Sequence, residues 1–325
     1  MTPLPSRAVS DLDARVVDQF AADVRYYLSL RPHQLPSRYF YDDVGSALFE
    51  TICRLPWYPI TRAEMRLIEA HSGDIFGLLP SLTTIVELGP GSGDKLRMLL
   101  AAGGARGEAT VHLVDVSASA LTFAAQTVAT AGDFHIVTHR ATYDVGLREA
   151  AAAAHGRTLV AFLGSNIGNF DAPGAAAFLQ NVHAALMPGD ALLIGVDLVK
   201  PKEQLLLAYD DPLGVTAAFN KNLLLRINRE LGGEIDLDAF SHRAIWNEAA
   251  ARVEMHLVAR SAQPLRIRRA DVDIRLQPGE FIWTESSYKY VPRDVQGLLQ
   301  SCGFRSTAQW IDRDDGFALT LAEAF

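Results

Sequence analysis

Between Thr83 and Val199 the chain repeats one theme, a short run rich in Val, Ile and Leu followed by a stretch with helical apolar spacing. The runs are TTIVEL, VHLVDV (Val111 to Val116), FHIVTH, TLVAFLG (Thr158 to Gly164) and ALLIGVDLV (Ala191 to Val199). Helical segments follow Gly93, cover SALTFAAQTVATA, and run from about Pro173 to Leu186. Apolar strands alternating with helices are buried as parallel β-α-β units, with helices over both faces of the sheet. The expected fold is therefore α/β, an open Rossmann-like parallel sheet of five strands. GFRSTAQWID, the turn RDDG and FALTLAEAF then add a C-terminal antiparallel hairpin.

The flanks do not belong to that series. Asp11 to Ser29, Ser46 to Arg54 and Arg62 to Leu79 carry helical spacing. Beyond Lys200 a polar, helix-like segment runs to about Glu230, followed by two alternating strands, Arg252 to Arg260 and Val272 to Glu285. At 325 residues and 49% hydrophobic the chain can bury one large core or two modest ones, and its length suggests about two domains. The formal charge of -8 supplies no net positive field for phosphate backbones or anionic lipid, so neither nucleic acid nor a membrane is an expected partner. Only Cys53 and Cys302 occur, without C-x-x-C spacing, and the nine histidines show no metal-ligand spacing, so no metal is assigned. No export or membrane signal is visible, and a reduced, cytoplasmic, monomeric protein is expected.

The first strand of the series runs into VELGPGSGDK. Gly89, Gly91 and Gly93 allow a ligand to approach the backbone closely. Their spacing is G-x-G-x-G, not the G-x-G-x-x-G of dinucleotide binders, and Glu87 precedes them. Ligands of open α/β sheets sit at the carboxyl ends of the strands near the switch point, which brings Glu87 to Lys95 and Asp115 together. Asp115 can accept two ribose hydroxyls, as in nicotinamide and adenosyl cofactors alike. Glu87 separates them, because a carboxylate repels a pyrophosphate and favours a cofactor with an ammonium and a sulfonium. That points to S-adenosylmethionine.

The E-x-G-x-G-x-G loop, the lone Asp115 and the terminal hairpin resemble the class I S-adenosylmethionine-dependent methyltransferases. Further stretches resemble one narrow family among them, the histidine Nα-methyltransferases that make hercynine for ergothioneine biosynthesis. They are RYFYDDVGSALFE, LPWYPITRAE, VELGPGSGDK, FLGSNIGNF, YDDPLGVTAAFNKNLL, INRELGG, DLDAF, RVEMHL and TESSYKY, in the family's order from about Arg38 onward. The resemblance implies a methyltransferase core over 61–199 and 288–325. It also implies a second, α+β substrate-binding domain over 1–60 and 200–287, with histidine in the cleft between the two.

Carried over residue by residue, the resemblance assigns the substrate carboxylate to Asn169 and Tyr209, and the imidazole to Glu285 and Ser287. Met255 lines the same pocket, and Tyr39 lies near the reacting nitrogen. Two departures stand out. LPWYPITR offers Trp57, Tyr58 and Pro59 where the family shows adjacent tyrosines, leaving Tyr58 as the substrate contact. Near the adenine, RATYDVG places Thr142 and Tyr143, followed by Asp144, where relatives have an Asp before an aromatic residue. Gly89, Gly91, Gly93, Lys95, Glu87 and Asp115 complete the cofactor set.

Methyl transfer from a sulfonium to an amine is an in-line displacement that asks the protein mainly for positioning and for a neutral amine. No general base is identified, and three rounds would give the trimethylated betaine. Rival expectations are an α-N-methyltransferase for tryptophan or another aromatic amino acid, and a non-catalytic adenosyl-cofactor-binding subunit. A nicotinamide oxidoreductase is disfavoured by the glycine spacing.

Overall fold

The Val- and Leu-rich runs form five parallel strands: β1 (Leu82–Leu88), β2 (Thr110–Asp115), β3 (His135–Arg140), β4 (Arg157–Phe162) and β5 (Ala191–Asp197). The computed structural model describes residues 11–103 and 109–325. The C-terminal hairpin, β6 (Phe304–Asp312) and β7 (Phe317–Ala324), adds antiparallel to β5 and gives the order β6-β7-β5-β4-β1-β2-β3. Val86 lies opposite His112 on one side and Val160 on the other. All seven residues of β5 are buried, as a central strand covered on both faces must be. The edge strand β3, HIVTHR, alternates polar and half-exposed positions.

One layer of the core packs Val86, Val160, Phe162, Leu192 and Ile194 against Leu179 and Val182 of the helix Ala172–Ala184 and Leu299 of the helix Pro292–Ser301. Helix starts follow local chemistry: Ser117 accepts from the Ala120 N–H, and Asp171 accepts from the Gly174 N–H. Sequence order reverses between β1 and β4, and the turns after β1, β2 and β4 gather at that switch point.

By internal contacts the chain divides into two units. The sheet described above lies in Phe49–Tyr209, Trp246–Val253 and Ser286–Phe325, and the other unit comprises Met1–Leu48, Asp210–Ile245 and Glu254–Glu285. The segment Trp246–Val253 thus groups with the core, although it falls inside the inserted stretch of the sequence. A four-stranded sheet carries His33–Gln34 parallel to Phe281–Tyr288, then Arg252–Ala259 and Phe240–Asn247.

Here the structure differs from the expectation of two strands. Val272 to Glu285 is two strands broken at the turn QPGE, where Gly279 has φ +85°. Phe240–Asn247 and Gln263–Ile267 are additional strands. The first is mostly half-exposed and the second carries a proline, so neither shows a clean apolar alternation. The helix-like segment is two helices, Lys202–Tyr209 and Val215–Leu231. The second is capped by Asp211, which accepts from the N–H groups of Leu213, Val215 and Thr216. Among the described residues no helix is long and apolar enough to cross a membrane.

Gly195 of β5 lies against the buried carboxyl of Glu64, from the helix Ile60–Leu78, and a Cβ there would stand 1.9 Å from Glu64 Oε1. Gly195→Ala should destabilise the protein by about 3 kcal/mol, the upper range for overpacking, which a urea titration would read as a lower midpoint at unchanged slope.

Candidate active site

The glycine loop after β1 has the geometry its composition demands. Gly89, Gly91 and Gly93 have φ of +73°, +55° and +77°. The Gly89 N–H donates to the Val114 carbonyl at 2.9 Å, tying the loop to the end of β2. A Cβ on Gly89 would stand 2.7 Å from the Tyr143 hydroxyl and 3.3 Å from Asn166 Nδ2, so any side chain would fill the cradle. A Cβ on Gly93 would stand 2.9 Å from the Ala124 carbonyl oxygen of the next helix, making this glycine a packing requirement.

Charges around the loop fall into two kinds. Glu64 is fully buried and well partnered: its carboxylate accepts from the Gly164 N–H at 2.8 and 2.9 Å and pairs with Lys95 Nζ at 2.7 Å. Lys95, expected to touch cofactor, therefore makes its ion pair with Glu64. Glu87, 2% exposed, has an Oε2 atom with no hydrogen-bond partner. Burial pushes its carboxyl up to about 8, with Glu64 and Asp115 adding to the shift and Lys95 opposing it. Asp115 at the end of β2 accepts from the Ser117 N–H at 2.8 Å, and burial raises its carboxyl.

Tyr143 is pushed well above the ordinary phenol range by burial and by Asp115, so its hydroxyl keeps its proton. The Thr142 hydroxyl donates to Asp144 at 2.6 Å. These residues fit S-adenosylmethionine better than a dinucleotide: a buried carboxyl with an unpartnered oxygen can ionise beside a cation and gains nothing from a phosphate, and the glycines leave room beside it.

A second cluster in the same unit joins residues from four segments. Tyr209 ends the helix Lys202–Tyr209, and its hydroxyl lies 2.7 Å from Ser287 Oγ. Buried Lys289 donates to both, at 2.9 and 2.8 Å, and pairs with Asp197 Oδ2 at 2.9 Å. Asp197 ends β5, accepts from Lys200 at 2.7 Å through Oδ1, and donates its own N–H to Ser165 Oγ at 2.9 Å. Asn169, half-buried, closes the 3-10 turn Asn166–Asn169 after β4. That turn packs on the lysine strand, since a Cβ on Gly168 would stand 2.8 Å from the Tyr288 carbonyl oxygen. Tyr58 is buried with its ring edge-on to Tyr209 at 6.3 Å. The structure thus brings Tyr58, Tyr209 and Ser287 together, and adds Lys289 and Asp197.

Tyr39, Met255 and Glu285 lie in the other unit. The Tyr39 ring packs on Phe20 at 4.2 Å, its hydroxyl donates to Asp23, and burial with that bond pushes it up to about 12. Met255 is buried, and its carbonyl accepts from the Thr284 hydroxyl at 2.9 Å. Glu285 is half-buried next to Thr284, with its carbonyl accepting from the Trp283 indole at 2.7 Å.

Among the described residues no group of His, Cys, Asp and Glu is placed to hold a metal ion. The missed residues, Lys289, Asp197 and Glu64, carried little local signal. Lys289 stands inside the quoted TESSYKY, but only tertiary contact gives its ammonium three partners.

The strand order, the glycine turn after β1, the acid ending β2 and the antiparallel hairpin define a class I S-adenosylmethionine-dependent methyltransferase. Residues 20–324 match the model of the histidine-specific, S-adenosylmethionine-dependent methyltransferases. Histidine N-alpha-methyltransferase of Mycolicibacterium smegmatis is 41% identical over 313 residues, covering 92% of this chain and 93% of that protein. The Mycobacterium tuberculosis protein of the same name is 40% identical over 311 residues, with the same coverage. Ergothioneine biosynthesis protein 1 of Neurospora crassa is 28% identical over 299 residues, which span 86% of this chain and 32% of that longer protein. The chain belongs to the histidine-specific, S-adenosylmethionine-dependent methyltransferase family.

Glu87 makes stability depend on pH in a direction that can be worked out. Between its ordinary value of 4.5 and about 8 the folded protein holds a proton that the unfolded chain has lost. Stability of the ligand-free protein therefore falls as pH rises through that window. Glu87→Gln should flatten this fall, leaving the ligand-free variant more stable than the parent at pH 8 by a few kcal/mol, on the order expected from such a shift. Thermal melts of both proteins across that window check it.

Proposed function

We propose that the protein transfers methyl groups from S-adenosylmethionine to the α-nitrogen of L-histidine, in three rounds, giving the trimethylated betaine hercynine. The match over 20–324 to a histidine-specific family carries this assignment, together with 41% identity to a histidine N-alpha-methyltransferase over nearly the whole chain. The residue types where the family places its substrate contacts suit the chemistry of that substrate. Asn169 and Tyr209 offer donors to a carboxylate, and Glu285 and Ser287 offer partners to a ring with two nitrogens. An indole has one ring N–H and would leave part of such a set unused.

When bound, S-adenosylmethionine supplies a methyl group on a sulfonium to a neutral amine. Glu87, Gly89, Gly91, Gly93, Lys95, Asp115, Thr142 and Tyr143 are the residues proposed to hold it. Glu87 meets the cofactor's ammonium and gives up its proton as it does so. Holding the amine, carboxylate and ring in one orientation supplies the positioning that a displacement at carbon needs. The amine must shed a proton, whose pKa is about 8 or higher. No side chain is assigned as the base. Solvent then carries the proton away.

In this account Tyr39, Met255 and Glu285 belong to the substrate-binding part, expected over 1–60 and 200–287. The protein acts as a cytoplasmic monomer without nucleic acid or membrane.

Incubation with S-adenosylmethionine and each of the twenty amino acids, read by mass spectrometry, should show three successive methyl additions on histidine and little on tryptophan. Turnover of tryptophan in preference would make the protein an aromatic α-N-methyltransferase, and cofactor binding without any turnover would make it a non-catalytic subunit. Glu285→Ala should weaken histidine binding at least tenfold, the loss expected for a bond to a charged group, with cofactor affinity little changed in calorimetry.

A further inference from the structure

Lys289 is fully buried, yet nothing in methyl transfer itself calls for a lysine there. Burial works against its charge, but Asp197 and Tyr209 outweigh that and hold the ammonium above the usual lysine range. It is therefore a permanent cation with three hydrogens. All three are used, on Tyr209 Oη at 2.9 Å, Ser287 Oγ at 2.8 Å and Asp197 Oδ2 at 2.9 Å.

That saturation dictates the direction of the neighbouring hydroxyls. An ammonium only donates, so both hydroxyl oxygens accept from Lys289. The 2.7 Å bond between Tyr209 and Ser287 uses one of their two hydrogens. Lys200 also bonds Asp197, through Oδ1 at 2.7 Å, so two ammonium groups share one carboxylate. The group as a whole carries a net charge of one positive unit, buried directly behind the two hydroxyls.

We propose that Lys289 is a positioning and specificity residue for the amino acid carboxylate, supplying the positive charge that draws it and holding both hydroxyls as acceptors. The inference rests on the assignment of Tyr209 to the substrate carboxylate. With Tyr209 donating to that carboxylate, Ser287 donates to Tyr209 and keeps an acceptor lone pair free for a ring N–H. One buried cation thereby sets the roles of both hydroxyls.

The test compares L-histidine with L-histidinamide, which keeps the amine and the ring and loses the carboxylate charge. The unaltered protein should favour histidine in kcat/KM by roughly ten- to a hundredfold, the range for a hydrogen bond to a charged group. In Lys289→Met, KM for histidine should rise by a similar factor, the preference over the amide should shrink to a few-fold, and S-adenosylmethionine affinity should hold. Lys289→Arg, which keeps the charge, should recover part of the preference. Should Lys289→Met not fold, Lys289→Gln, which drops the charge and keeps a polar side chain beside Asp197, is read the same way.

Equal use of histidine and its amide by the unaltered protein, or a preference undiminished in the lysine variants, would overturn the proposal. Tyr209→Phe separates it from the assignment beneath it. If that variant leaves the KM for histidine unchanged, the Tyr209 assignment is wrong and the proposal falls with it. If it raises the KM while the lysine variants do not, the assignment stands and the Lys289 proposal alone is rejected.

Discussion

The carboxyl of Glu64 is the hinge on which the cofactor side of the sheet is built. It is wholly buried, in a helix that precedes the first core strand, and a charge so placed must be paired and hydrogen-bonded. Its partners come from two separate segments, the Gly164 N–H after β4 and the Lys95 ammonium after the glycine loop, and the absence of a side chain on Gly195 in β5 leaves it room. One side chain thus holds the turns on both sides of the switch point in register. Removing Lys95, itself part-exposed, would strand the fully buried Glu64 carboxylate, so the pair resists the loss of the lysine.

Against that satisfied pair, Glu87 is the exception that makes a binding site. Its own burial is as deep, but one oxygen has no partner and Lys95 is already engaged by Glu64. A buried acid in that state either holds a proton or waits for a cation, which is the chemistry of a cationic cofactor beside glycines that cannot obstruct it. Lys289 presents the complementary case in the same unit: a buried cation that donates to two hydroxyls. An amino acid substrate and an amino acid-bearing cofactor each carry both signs of charge. The chain answers with one buried acid, Glu87, and one buried ammonium, Lys289.

Much of the fold was legible because burial on both faces leaves a plain trace in composition. Continuous apolar runs such as ALLIGVD can be satisfied only in a central strand, and they placed all five parallel strands and the hairpin. The trace fades where a strand is half-exposed. SHRAIWN and QPLRI carry no clean apolar alternation, and the turn QPGE lies inside a stretch whose composition is that of one long strand. Motif-bearing residues were legible by type, and less so by contact. Tyr39 was expected near a reacting nitrogen, and its hydroxyl is bound to Asp23, sixteen residues away on the first helix.

Sequence alone determined the layering, the glycine turn with its preceding acid, and the family, because hydrophobic periodicity and backbone freedom are local properties that any fold must respect. Only the tertiary structure decided which charges are spent and which are left over. Lys95 and Lys289 are both lysines after a strand or turn, yet one neutralises a structural carboxylate and the other backs a pair of hydroxyls. That difference lies in partners drawn from distant segments, and a buried charge takes its meaning from its partners.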